Sequence, residues 1–138
     1  MHTEGTLAPD SPEAARAAYE SCGPAARTVV REVARAMDFD RAEYEERVDA
    51  DVIATARDAL FASLLEVRVG DRGEFDAWFD GRGEALDAHG SENVDFVAWH
   101  VVPFAGVVVA TTYQNEEAAA VATLRRIAFA EHYREVLA

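Results

Sequence analysis

The segment Val94-Asp95-Phe96-Val97-Ala98-Trp99-His100-Val101-Val102-Pro103-Phe104-Ala105-Gly106-Val107-Val108-Val109-Ala110-Thr111-Thr112-Tyr113 decides the fold class. Two runs rich in β-branched and aromatic residues, 94–102 and 107–113, flank the turn Pro103-Phe104-Ala105-Gly106 and read as a hairpin. Upstream, residues 84–89 form another strand-like run, set off by Gly90-Ser91-Glu92-Asn93. Three strands joined by short turns predict an antiparallel meander. If Val102 opposes Val107 and His89 opposes Val94, the two-residue period sorts the side chains into faces. Val97, Trp99, Val101, Val108, Ala110, Leu86 and Ala88 share a nearly apolar face, expected as core. Phe96, Ala98, His100, Val102, Val109, Thr111 and Tyr113 share the other, with Asp87 and His89 on the neighbouring strand.

The second face is amphipathic, which makes it a candidate ligand face. Phe96 and Tyr113 supply aromatic area, and His100, Thr111, Asp87 and His89 supply convergent polar groups. The structural alternative is that the N-terminal helices cover this face and that its polar groups find internal partners. His89, His100 and Asp87 are chemically able to ligate a metal, but on this register His100 lies opposite Gly83, several residues from His89. No H-x-x-x-H pair or cysteine pair completes a site, so neither a metal nor a cofactor is expected.

On the N-terminal side the period changes to that of helices. Ser11-Pro12 starts a helix ending near Cys22, and Pro24 opens a second, in which Val29, Val33, Ala36 and Met37 form a stripe. Asp40-Arg41-Ala42-Glu43 has capping-box spacing for a short helix to about Val48, and Asp49 or Asp51 caps a fourth running to about Leu64. Glu66-Val67-Arg68-Val69 alternates like one further strand, and Asp71 to Glu74 reads as another capping box before Phe75, Trp78 and Phe79. Beyond the meander, Asn115 is the expected cap of an unbroken helix over 116–137, about 33 Å long. The expectation is an α+β fold. Residues 1–10 are a flexible tail, and 11–138 form a single domain in which about four short helices pack with a mostly antiparallel sheet and a long C-terminal helix.

Composition speaks about solvent. The chain holds 26 acidic and 13 basic residues, a net charge of −13, and every basic residue is arginine. Such a charge repels itself in dilute buffer. The screening length falls from about 10 Å at 0.1 M salt to about 3 Å at 1 M, so brine removes the penalty. Lysine is a strongly hydrated point charge, whereas arginine makes planar paired contacts with carboxylates. A halophilic protein is therefore expected, and an acidic nucleic-acid mimic is disfavoured because the acids are dispersed. Cys22 is the lone cysteine, which excludes an internal disulfide. The N-terminus lacks a basic and apolar leader, and the apolar run 101–110 is about half a bilayer span. The expected location is the cytoplasm, with no membrane partner.

Arg27, Arg31 and Arg35 recur at four-residue spacing, a basic stripe on an acidic protein. It could take an acidic partner or an anion, or, in a helix-turn-helix, a phosphate backbone. Ion pairing with Glu13, Glu20 or Glu45 is the structural reading. Nucleic acid is disfavoured, because the helix over 52–65 offers core residues rather than groups for base edges and Glu43-Tyr44-Glu45-Glu46 would face phosphates. Ser91 lacks the G-x-S-x-G context of an activated nucleophile.

The segments Arg27-Thr28-Val29-Val30-Arg31-Glu32-Val33-Ala34, Ala56-Arg57-Asp58-Ala59-Leu60-Phe61-Ala62-Ser63-Leu64-Leu65-Glu66-Val67 and Val97-Ala98-Trp99-His100 resemble an uncharacterised family of small acidic haloarchaeal proteins. The resemblance implies a salt-rich archaeal cytoplasm and brings no activity or site. The expected function is a non-enzymatic binding or protein-interaction module, with an unknown protein partner or self-association as a homodimer. A small ligand-binding protein or enzyme using His100, Thr111 and Tyr113 is one alternative. A transcriptional regulator using the N-terminal helices is the other.

Overall fold

The computed structural model describes residues 1–138. It is an α+β fold built on a five-stranded mixed sheet. In chain order the elements are β1 (His2–Glu4), α1 (Pro12–Ser21), α2 (Gly23–Ala36), α3 (Arg41–Arg47), α4 (Ala50–Leu64), β2 (Val67–Asp71), α5 (Arg72–Phe79), β3 (Ala85–His89), β4 (Phe96–Val102), β5 (Val107–Tyr113), α6 (Glu117–Ala128) and α7 (Arg134–Leu137). The sheet order is β1-β2-β4-β5-β3.

The helix starts follow the local capping chemistry. Ser11 accepts from the Ala14 amide at 3.1 Å, Asp40 from Glu43 at 2.9 Å and Asp49 from Val52 at 3.0 Å. Asp71 and Glu74 exchange both bonds of a capping box. Each such cap satisfies an otherwise orphaned helical donor, at about 1 kcal/mol apiece.

The β4–β5 hairpin has the expected register, with Val102 opposite Val107 and Phe96 opposite Tyr113. The meander is not formed. β3 pairs with β5, in parallel, while the other side of β4 pairs antiparallel with β2. Residues 90–95 are a strap across the end of β5 and not a hairpin turn. Thr112 donates its hydroxyl to the Ser91 carbonyl at 2.8 Å, and Arg72 donates to the Ser91 and Val94 carbonyls at 2.9 and 2.8 Å. Gly90, at φ 97°, passes so close to Thr112 that a Cβ would collide with its hydroxyl. These long-range ties have no signature in the turn residues themselves.

Face assignment survives the change of partner. Leu86 lies beside Val108, Asp87 beside Val109 and His89 beside Thr111, so the parity of β3 is the one a meander would have imposed. Coverage is what differs. The His100 face carries the larger core, where Ala98, Val102 and Val109 meet Phe61, Leu65, Leu124, Phe129 and Tyr133. The Trp99 face holds a smaller core under α5, with Phe75 on Val97, Trp99, Val108 and Ala110. Leu86, placed in the core by the meander, is 42% exposed on the outer strand.

Two further expectations are corrected. Residues His2–Glu4, read as part of a loose tail, form an edge strand against β2. The Leu7 amide donates to Leu64 O at 2.8 Å and the Glu66 amide to Leu7 O at 2.8 Å. Gly5, at φ 82°, permits the close approach, because a Cβ there would lie 2.5 Å from the Leu65 carbonyl oxygen. The C-terminal helix runs without a gap over 117–137 but is not α-helical throughout, nor is Asn115 its cap. Glu116 holds the cap position without a side-chain bond, and a π-helical turn, Phe129–Tyr133, separates α6 from α7. There the Arg134 amide bonds to the Phe129 carbonyl, five residues back. The wider turn leaves Phe129 and Tyr133 buried in the core and His132 near β3.

Candidate binding surfaces

His100 is sealed into the core. It is 2% exposed, its Nδ1 lies 2.7 Å from the Glu66 carbonyl and its Nε2 2.7 Å from the Tyr133 hydroxyl. A carbonyl only accepts, so Nδ1 carries the proton and Nε2 accepts from Tyr133. Burial pushes the imidazole down to about 4, against the hydrogen bond to Glu66, with Arg125 adding to the depression. Burial likewise raises the Tyr133 hydroxyl. The pair is a neutral, satisfied bridge between β4 and the C-terminal helix. Phenylalanine at 133 would orphan a buried nitrogen at a cost of about 1–3 kcal/mol, read as a lower urea midpoint in the Tyr133→Phe variant.

The same network has a pH signature. The folded His100 pKa lies below its unfolded value, so its contribution is fully present above about 6.5 and is lost as pH falls toward about 4. Between pH 6.5 and 5 the wild type should lose stability more steeply than His100→Leu in urea titrations.

The other members of the predicted ligand face are dispersed. Thr111 is buried and its hydroxyl has no partner. Phe96 and Tyr113 stack at 5.5 Å at the far end of the hairpin, four register pairs from His100. The Tyr113 hydroxyl donates to Glu117 at 3.2 Å; burial, followed by the Glu117 carboxylate, pushes it up to about 12. The depression that reaches His100 is lined by Glu66, Arg68, Arg82 and Trp99, whereas Phe96 and Tyr113 line a different one.

Asp87 and His89, by contrast, meet residues that no sequence pattern had joined to them. Asp87 lies beside Glu131 and His132 of the π-helical turn, their ligand atoms within 4.8 Å of one another. His132 Nε2 is 3.9 Å from Asp87 and 3.8 Å from Glu131, and His89 Nε2 is 3.0 Å from Asp87. The 3.0 Å contact is out of line for a hydrogen bond, and both Nε2 atoms are buried without a hydrogen-bond partner. Burial opposes ionisation of Asp87, but hydrogen bonding to Glu131 and the two imidazoles outweigh it and hold its carboxyl below the usual range. The Asp87 bond, then burial, raises Glu131.

The basic stripe is open. Arg27, Arg31 and Arg35 are exposed; Arg35 pairs with Glu32 of its own helix at 3.2 Å, while Arg27 and Arg31 have no carboxylate partner. The expected pairing with Glu13, Glu20 or Glu45 is absent; Glu13 and Glu45 meet Arg16 and Arg41 on their own helices.

A cleft of about 670 Å³ opens between α2 and α4, capped by the residues around α3. Its apolar walls include Val29, Val33, Met37 and Val52, which are 47%, 52%, 58% and 39% exposed. Ala34 and Phe39 also line a second depression, which holds Arg31, Arg35 and Arg41 with Asp40, Tyr44 and Glu45. The two adjoin across Ala34 and Phe39. Sequence reasoning missed this cleft because the Val29-Val33-Met37 stripe looks like any buried helix face.

No curated protein and no solved structure matches this chain. A family model matches residues 6–134, nearly the whole of it. The chain belongs to DUF5809, a family of unknown function.

Proposed function

We propose that this chain is a non-enzymatic interaction module of a salt-rich, haloarchaeal-type cytoplasm, and that its α2–α4 cleft receives an amphipathic helix with an acidic flank. The observation that carries this reading is the exposed apolar cleft. Val30 and Ala34 form the buried seam of α2, yet Val29, Val33 and Met37 beside them remain open to water. Clustered exposed apolar side chains of this kind mark binding sites.

Charge selects the occupant. The depression adjoining the cleft presents Arg31, Arg35 and Arg41, and Arg31 has no internal counter-ion in a protein of net charge −13. An apolar helix face would fill the cleft while carboxylates on its flank meet the guanidinium groups. A nucleic-acid backbone fits less well, because Asp40 and Glu45 line the same depression.

Co-purification in molar KCl, followed by cross-linking and mass spectrometry, tests the proposal. Val33 is half exposed, so Val33→Asp should fold normally. The expected result is a protein captured by the wild type, lost with Val33→Asp and weakened by Arg31→Glu. Cross-links should place an acidic amphipathic helix against residues 29–37 and 52–56. Capture indifferent to Val33→Asp, capture of nuclease-sensitive material through Arg31, or a dimer of the purified chain broken by Val33→Asp would each overturn it.

A further inference from the structure

We propose that Asp87, Glu131 and His132, beside which His89 lies against Asp87, form a binding site for a first-row divalent transition ion of the zinc class. The donors come from two distant segments of chain. Asp87 and His89 stand two residues apart on β3, so both project from the same face, and Glu131 and His132 are presented by the π-helical turn that covers it.

The spacing suits an ion better than it suits hydrogen bonds. Contacts of 3.8 and 3.9 Å from His132 Nε2 to the two carboxylates exceed hydrogen-bond length. They are short enough to be spanned by two metal bonds of about 2.0–2.2 Å meeting at a wide angle. All the ligand atoms of the set lie within 4.8 Å of one another, so small side-chain rotations close them around an ion.

An independent observation concerns the imidazoles. Both His89 Nε2 and His132 Nε2 are inaccessible to solvent and lack a hydrogen-bond partner. Buried polar atoms normally find partners, and an orphaned pair beside two carboxylates is the arrangement that an ion would satisfy. Nearby groups do not compete: the other ligand-competent cluster, His2, Glu4 and Glu117, belongs to β1 and α6, and its histidine side chain is 53% exposed.

An imidazole set between two carboxylates favours zinc, cobalt or nickel over magnesium or calcium, which prefer all-oxygen shells. Inner-sphere bonds of this kind do not depend on long-range charge, so they persist in brine where surface ion pairs are screened. A bound ion would tie β3, which pairs only with β5, to the C-terminal helix.

The untagged, chelator-treated full chain in molar KCl is titrated with Zn²⁺ and Co²⁺, using calorimetry and visible absorption. The expected result is one ion per chain, a Co²⁺ band of low-coordinate type and a raised Tm. His132→Gln and Glu131→Gln should each weaken binding at least about tenfold, and His2→Gln should leave it unchanged. Glu131 is on the surface, so its variant keeps the test valid if His132→Gln fails to fold. Absence of stoichiometric binding, binding unaffected by Glu131→Gln, or binding lost with His2→Gln would overturn the proposal.

Discussion

Phe61→Ala is expected to lose about 3–5 kcal/mol of folding stability, measured by urea unfolding in molar KCl. Phe61 is fully buried, and its ring meets Tyr19, Phe129 and Tyr133 edge-on at 5.8, 5.9 and 5.4 Å. These partners come from α1 and the π-helical turn, so one ring joins α4 to both. Alanine and valine supply much of the surrounding core, and small side chains cannot flow into a ring-sized void. The damage spreads further, because Tyr133 also holds His100. A domain with about 5–15 kcal/mol in total would be left marginal. A loss under about 1 kcal/mol would show that α1, α4 and the C-terminal helix do not share this core.

Lowering KCl from molar to about 0.1 M should cost the protein its fold, or depress Tm steeply, when followed by circular dichroism. The charge of −13 is spread over the surface, and its compensation is weak. Arg16–Glu13, Arg35–Glu32 and Arg41–Glu45 are exposed pairs within single helices, worth about 0.3–0.5 kcal/mol each. Glu43, Glu45, Glu46, Asp49 and Asp51 crowd into nine residues, with Arg47 the one cation among them. Residues 26–56 belong to neither core cluster, so the α2–α4 arm has the least apolar burial to set against that repulsion. Hydrogen exchange should show this arm opening first as salt falls. Stability indifferent to KCl would reject salt adaptation.

The local features of the fold were legible. Ser11, Asp40, Asp49 and Asp71 cap helices because capping is decided within four residues. The β4–β5 hairpin followed from its turn and its alternation. The sequence places β3 beside β4 because Gly90-Ser91-Glu92-Asn93 has a turn composition, while Thr112 and Arg72, both distant in sequence, draw the strap across β5. The sites were less legible still. His100 stood out as a polar residue in an apolar strand, but Tyr133, 33 residues on, makes it structural. Asp87 and His89 are visible as ligand types, whereas Glu131 and His132 carry no motif within the run that reads as one long helix.

Sequence by itself determined what depends on a residue and its near neighbours: helix caps, the hairpin, the two faces of each strand, and the acidic, lysine-free surface. Tertiary structure alone decided which strand lies beside which, which face is covered and which side chains meet across the sheet. Those outcomes depend on the parity of a register and on where a π-helical turn falls, and both are set by packing among segments tens of residues apart. A stripe such as Val29-Val33-Met37 has one appearance in sequence whether another helix covers it or leaves it open. Only the placement of α4 and α3 shows that here it borders a cleft.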